Sequence, residues 1–396
     1  MVDDRLDRPN AADSSPPKGY QSTLLAATPS RAGEVRPLAP ADVPAVASLY
    51  HRVFLNPSKP APSELSRHLE RQFLTGDPSG ISSLVYIKDG AVAGFVGAMP
   101  LSMSIDGRTV QAATIGSFMV DRHLNDPLGG AKLLRAMAAG PQDITLSETA
   151  SSTSLTMWRS LRGTVLAGYS LDWLKVLSPA RYLTARIARR LPLARLARPV
   201  AGSLDRVIAR RRDGIAVGRS PSPAARGTSQ PVGLEQAAEI IRELSRFSSA
   251  GPDWSGDTLE RRLASASTKS SYGQMTCRAV AGPGGATIGL FIYHARRFDI
   301  GHVLQVLARP GQTGLVLDQL FQHAAAESVA ALTGRTDPTL LDALLGRDCS
   351  FANFSSTVVS ARDKSLLTPM LDGRALLTGL AGETWSPFAG HDLETI

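Results

Sequence analysis

Leu84-Val85-Tyr86-Ile87-Lys88-Asp89-Gly90-Ala91 opens the stretch on which the fold turns. Leu84 to Ile87 reads as a strand, and Asp89-Gly90 is a two-residue signal for a type I′ hairpin. From Ala91 to Ile105 the pattern has a period of two. Met99, Leu101, Met103 and Ile105 alternate with Pro100, Ser102 and Ser104. Asp106-Gly107 makes a second tight turn, and a third strand runs from Arg108 to Val120. Two such turns joining three strands specify an antiparallel meander whose register is pinned. The meander then runs through Asp126-Pro127-Leu128-Gly129-Gly130-Ala131 into a helix with Leu133, Leu134 and Met137 on one face.

Upstream, Val35-Arg36-Pro37-Leu38 and Asp42 precede a helix whose Val43, Val46, Ala47, Tyr50 and Phe54 recur at helical spacing. A second helix is expected from Ser63 to Leu74. Downstream the pattern gives a strand from Ile144 to Glu148, a helix from Ser152 to Leu161 and an apolar strand from Thr164 to Leu177. Much of that order then recurs. Helices are expected over Leu234–Phe247 and Thr258–Leu263, and strands over Tyr272–Val280, Ala286–Ala295 and Ile300–Ala308. Arg309-Pro310-Gly311-Gln312-Thr313-Gly314 leads into a helix carrying Leu317, Leu320, Phe321 and Ala324. A strand at Ala330–Gly334, a helix at Pro338–Leu345 and a strand at Phe351–Ser360 complete the second copy. This is a tandem α/β chain, not a short-period solenoid.

The chain has 396 residues, 43% of them hydrophobic and 20% charged, so it can bury a sizeable core. Its net charge of +8 is local in origin. Eleven arginines and no lysine lie between Arg181 and Arg219, beside only Asp205 and Asp213. The rest is near neutral. The expected division is a tail over 1–31, a first domain over 32–180, an Arg-rich linker over 181–231 and a second domain over 232–396. The basic segment reads as a solvated linker, with a helix lying on an anionic membrane surface as the alternative. Nucleic acid is not expected, because no aromatic residue lies between Leu183 and Gly233 to stack on bases. Cys277 and Cys349 are too few and too far apart for a disulfide framework or a zinc site. With no signal-like start and no long apolar run, the expectation is a cytoplasmic protein.

Phosphate-loop, Gly-x-Gly-x-x-Gly, His-Glu-x-x-His, Gly-x-Ser-x-Gly and Cys-x-x-Cys motifs are all missing, and no metal is expected. The chemistry therefore rests on the turn after the meander. A helix start offers unpaired backbone N–H groups and partial positive charge, and glycines there let the main chain approach a phosphate. Gly129, Gly130 and Ala131 occupy that position. A tight strand-to-helix turn explains the same glycines. His123 and His302 read as incidental and structural, and both cysteines as small hydrophobes.

Residues 35 to 177 resemble the GNAT (Gcn5-related N-acetyltransferase) superfamily. The resemblance is carried by the Val35-Arg36-Pro37-Leu38 opening with Asp42, the Asp-Gly meander and the Val120 to Ala131 segment. Asp126 stands where the family loop has Gln or Arg. The second copy resembles the same fold more loosely, with Arg309 to Gly314 at the cradle. The resemblance implies two GNAT-like domains, each a mixed, mostly antiparallel sheet flanked by helices. It also implies acetyl-CoA or another acyl-CoA as the acyl donor and an amine as the acceptor. Met119 and Val120 would pair with the pantetheine arm, and Gly129, Gly130 and Ala131 would hold the pyrophosphate. Glu148, at the end of the strand after the cradle helix, is the candidate catalytic base, with a helix cap or solvated acid as its other reading. The tyrosine that often serves as acid is replaced by Trp158 on the following helix. The C-terminal stretch from Leu371 to Trp385 resembles tandem GNAT-like proteins linked with envelope polysaccharide synthesis. Two alternatives stay open: a non-catalytic binding or regulatory protein, and an aminoacyl transferase of the Fem type.

Overall fold

The computed structural model describes residues 33–55, 63–74, 76, 78–121, 126, 128–190, 227–269, 272–386 and 388. The elements of the first half are β1 (Glu34–Pro37), α1 (Val43–Phe54), α2 (Ser63–Phe73), β2 (Leu84–Lys88), β3 (Ala91–Ile105), β4 (Arg108–Val120), α3 (Gly129–Ala138), β5 (Ile144–Ala150), α4 (Ser152–Ser160), β6 (Thr164–Val165), β7 (Asp172–Val176) and α5 (Pro179–Arg190). The second half comprises β8 (Thr228–Pro231), α6 (Leu234–Ser245), β9 (Ala250–Pro252), α7 (Thr258–Ser267), β10 (Gln274–Ala281), β11 (Thr287–Ala295), β12 (Ile300–Ala308), α8 (Thr313–Ala326), β13 (Ala331–Arg335), α9 (Pro338–Leu345), β14 (Ser350–Ala352), β15 (Ser356–Ala361) and α10 (Thr368–Leu371).

Both Asp-Gly turns form as their sequence demands. Asp89 and Gly90 have φ of +49° and +79°, and Asp106 and Gly107 +47° and +82°. Positive φ at both central residues is the type I′ requirement. β2, β3 and β4 are accordingly antiparallel neighbours. At the opening, Arg36 grips Asp42 through two bonds of 2.7 and 2.8 Å, and the Ala39 N–H donates to the same carboxylate at 2.9 Å. That pair fixes the entry of the chain into α1.

The first sheet has the order β1-β2-β3-β4-β5-β15-β6, with β9 pairing on β3, and the second β14-β7-β13-β12-β11-β10-β8. The halves therefore exchange strands. The single strand expected over Thr164–Leu177 is two, β6 and β7, and only β6 stays in the first sheet. The single strand expected over Phe351–Ser360 is likewise β14 and β15. β15 inserts between β5 and β6, and β7 inserts between β13 and β14. The expected boundary between 180 and 232 thus does not separate the sheets. Short links, residues 166–171 and 353–355, redirect the two segments and bond to each other. Thr357 donates through its hydroxyl to the Tyr169 carbonyl at 2.7 Å, and the Asn353 amide donates to the Ser170 carbonyl at 2.9 Å.

Arg335, at the end of β13, knots this exchange. Its guanidinium donates to Asp172 at 3.0 Å, to the Glu148 carbonyl at 2.8 Å and to the Ser355 carbonyl at 3.0 Å. One side chain thereby ties the second sheet, a strand of the first and the β14–β15 link. Phe95, Leu146 and Val359 are buried in the first core, and Phe291, Leu317 and Leu332 in the second. Each such side chain contributes about 1.5–3 kcal/mol relative to exposure. Among the described residues no helix is long and apolar enough to cross a membrane.

Candidate active site

β4 and β5 run parallel, but they pair only over Ala112–Thr114 opposite Ile144–Leu146. Beyond Thr114 they diverge and open a wedge. Ser117, at φ +52°, sits in the irregularity between the Phe95–Met119 and Gly97–Gly116 pairs, so β4 bulges at the wedge. The bulged strand keeps its bonds to β3, while its other edge has no partner strand among the described residues. Met119 and Val120 lie on this stretch. Met119 is buried in the core, and Val120 packs near Gly129.

α3 starts at Gly129 with no side chain capping it. The two glycines differ in how closely they are approached. A Cβ on Gly129 would lie 2.9 Å from the Tyr86 ring, and one on Gly130 would lie 3.1 Å from the tip of Met157. Packing alone thus accounts for Gly129, whereas Gly130 faces a side chain that can move. Asp126, the acid at the first cradle position, is neutralised in place. The Tyr86 hydroxyl donates to it, the Leu128 N–H donates to it at 3.0 Å, and the Lys132 ammonium lies 3.4 Å away. The Tyr86 bond, with the other donors, holds its carboxyl below the usual range.

Glu148 ends the wedge on the β5 side, and its side chain is 0% exposed. Its carboxylate receives the N–H of Gly379 at 3.1 Å, of Glu383 at 2.9 Å and of Thr384 at 3.1 Å. These donors belong to the C-terminal segment, which folds round the carboxylate as a backbone nest folds round an anion. A Cβ on Gly382 would lie 2.1 Å from Glu148 Oε2, so only glycine allows that approach. Burial pushes the Glu148 carboxyl up, opposed by Arg335 and the amides. Glu148 stands where a base was expected, yet its carboxylate is enclosed by the tail.

A second carboxylate lies in the wedge itself. Glu383 Oε1 accepts the Thr149 N–H at 2.8 Å and the Thr149 hydroxyl at 2.6 Å. Its Oε2 approaches Gly116 so closely that a Cβ there would lie 2.3 Å away. Glu383 therefore spans from β5 to the bulged part of β4. Sequence reasoning missed it, because 234 residues separate it from Thr149 and no local pattern marks the encounter. Trp158, in the position of the family tyrosine, is buried core and has no acidic proton to give.

Behind the wedge lies a cavity of about 500 Å³ lined by residues of both halves. Thr149 and Thr384 form part of its wall; Thr149 donates to the Glu383 carboxylate and Thr384 to that of Glu148. Lys269 also lines it and donates to the Thr384 carbonyl at 2.6 Å. Burial lowers the Lys269 ammonium to about 7, against the pull of Glu148 and Glu383. His302, read from sequence as structural, faces this cavity and stacks on Tyr272 at 3.9 Å between ring centres.

The cradle of the second half is covered by its own side chain. Arg347 donates to the Gly314 carbonyl at 2.8 Å and pairs with Asp318. Arg309 there is held by Glu243 and by the Thr287 carbonyl. His123 and the basic segment from 191 to 226 lie outside the described residues. Among those described, no group of three His, Cys, Asp or Glu side chains is placed to hold a metal.

This divided sheet with a glycine-started helix beside it has solved counterparts. A conserved protein of unknown function from Enterococcus faecalis V583, titled a probable N-acyltransferase, superposes with a TM-score of 0.52 at 11% identity, over 85% of this chain and 74% of that one. A GCN5-related N-acetyltransferase from Anabaena variabilis gives 0.54 at 10% identity, over 85% and 74%. The fold is that of the GNAT superfamily. A GCN5-related N-acetyltransferase from Kribbella flavida gives 0.52 at 12% identity, over 85% and 72%. No protein-family model matches the chain, and no curated protein matches it.

Proposed function

We propose that this GNAT-fold chain moves an acyl group from a CoA thioester, lying along β4 and the start of α3, to an amine that enters by the cavity behind the wedge. The observation that carries this reading is Glu383, whose carboxylate spans the wedge from Thr149 to Gly116 beside that cavity. The amine nitrogen attacks the thioester carbonyl carbon. A backbone N–H of β4 beyond Thr114 polarises the oxygen, the amine proton passes to Glu383, and the C–S bond breaks. The departing thiolate takes its proton from water, since Trp158 offers none. In this scheme Glu148 touches no reactant; it holds the loop that carries Glu383 and is a positioning residue. Met119 and Val120 are assigned to the pantetheine arm and Gly130 and Ala131 to the pyrophosphate. Envelope polysaccharide precursors are one acceptor class to test.

A specific observation favours a second, non-catalytic reading. The tail already occupies the wedge, with the Thr114 hydroxyl donating to the Ala381 carbonyl at 3.5 Å and Glu383 against Gly116. Calorimetric titration with acetyl-CoA, followed by a free-thiol release assay over an amine panel, separates the two. Binding with amine-dependent thiol release supports transfer; binding without release supports the regulatory reading.

A further inference from the structure

The lining of the cavity behind the wedge has a polarity that bears on its ligand. At the wedge end lie Thr149 and Thr384, in contact with the Glu383 and Glu148 carboxylates. The charged side chains of the lining are cationic, Lys269, Arg186 and Arg335, with Asp172 as the one acid among the lining residues. Asp172 is already paired with Arg335 at 3.0 Å, so it has little attraction left for a ligand cation. Arg335 is 7% exposed, and its Nε is buried with no hydrogen-bond partner. Arg186 differs. It is exposed, donates to the Tyr182 hydroxyl at 3.3 Å, and has no ion-pair partner among the described residues. Part of the wall is flat and aromatic. Tyr272 and His302 stack within 18° of parallel, Lys269 sits 4.7 Å above the Tyr272 ring, and Phe351 lines the same space.

The amine group itself follows from the transfer reading, in which Glu383, behind Thr149, takes its proton. The exposed Arg186 guanidinium suits an anion, and the Tyr272 and His302 rings suit a flat apolar frame. A polycation would place further ammonium groups against Lys269 and Arg186. We infer that the cavity takes an amine that also bears a carboxylate or phosphate on a flat, aromatic-like frame. This rests on the transfer reading for the amine group. The anion preference itself is a matter of binding alone. The volume of about 500 Å³ accommodates a ligand of that kind.

The test is calorimetric titration of the full chain, with and without saturating CoA, using 4-(aminomethyl)benzoate, benzylamine and spermidine. The first two differ only in the carboxylate. It should bind at least tenfold more tightly than benzylamine, about 1.4 kcal/mol, and spermidine should bind more weakly still. Arg186→Gln should bring 4-(aminomethyl)benzoate to within about threefold of benzylamine while leaving benzylamine unchanged. Equal affinities, tighter spermidine binding, an unaffected Arg186→Gln variant, or no binding of 4-(aminomethyl)benzoate at 10 mM in either condition would each overturn the inference. The transfer reading fails separately. It falls if CoA does not bind, whatever the amines do, and it stands if benzylamine releases thiol while the carboxylate confers nothing.

Discussion

Glu148 and Glu383 hold one another's strands: the Glu383 N–H donates to the Glu148 carboxylate at 2.9 Å, and the Glu383 carboxylate accepts the N–H of Thr149, next to Glu148, at 2.8 Å. The two acids form a reciprocal clasp between β5 and the C-terminal segment. Each carboxylate faces donors and not the other acid, which is how two buried acids tolerate neighbouring positions.

The clasp predicts a large stability cost for a change that is conservative in shape. Glu148→Gln exchanges one acceptor oxygen for an NH2 that faces backbone donors. At least one buried amide is then left without a partner, at about 1–3 kcal/mol. The melting temperature should fall, and amide exchange at Gly379, Glu383 and Thr384 should accelerate more than in β4. An unchanged melting temperature would mean that the tail does not depend on Glu148.

Glu383→Gln keeps an oxygen for Thr149 but cannot take a proton. Turnover should drop by about 10² to 10⁴-fold with CoA affinity retained, and the loss should shrink at high pH as more acceptor amine is already neutral. Gly116→Ala tests the same group from across the wedge, because its Cβ would displace Oε2. A folded Glu383→Gln enzyme with full turnover at neutral pH removes that residue from the chemistry.

The sequence made the meander legible because Asp89-Gly90 and Asp106-Gly107 admit one turn type each, and a turn type sets a register. It also placed a helix start at Gly129, through the strand and helix order that surrounds it. The strand exchange was beyond its reach. Period-two alternation identifies a strand but not its sheet, and β15 finds β5 across some two hundred residues of chain. The enclosure of Glu148 was hidden for the same reason. No local pattern marks Gly379, Glu383 and Thr384, and only the folded path brings their amides to a carboxylate near the end of β5. His302 looked structural because nothing nearby in sequence announces Tyr272 as its stacking partner.

The two cradle glycines should separate by experiment. Gly129→Ala forces its Cβ against the Tyr86 ring and should destabilise the fold. Gly130→Ala meets only the flexible end of Met157 and the edge of Phe118, so it should fold with a small loss, about 1 kcal/mol. If Ala131 and Gly130 face a pyrophosphate, Gly130→Ala should still weaken CoA binding several-fold by calorimetry. A Gly130→Ala protein with unaltered melting and unaltered CoA affinity would mean that this turn is structural only.

Lys269 carries a pH signature. Its folded value, about 7, lies below its ordinary value of 10.5. Between those two values the unfolded chain holds more protons at this site than the folded chain, so stability rises with pH there. The contribution is complete above about 10.5 and is lost as pH falls through about 7. The difference in unfolding free energy between wild type and Lys269→Met, measured by denaturant titration from pH 6.5 to 9.5, should grow as pH rises. A flat difference would show that the ammonium is not desolvated in the folded chain.

The most direct measurement is titration of the intact chain with acetyl-CoA, read together with thiol release on adding an amine. One CoA should bind per chain, because the Arg347 guanidinium packs directly on Gly314 in the first turn of the second cradle helix, where a pyrophosphate would have to approach. Thiol should appear only with amine present, and Glu383→Gln should abolish its release without abolishing binding. A folded wild-type protein that binds no CoA at millimolar concentration, or that binds CoA yet releases no thiol with any amine in the panel, would contradict the account.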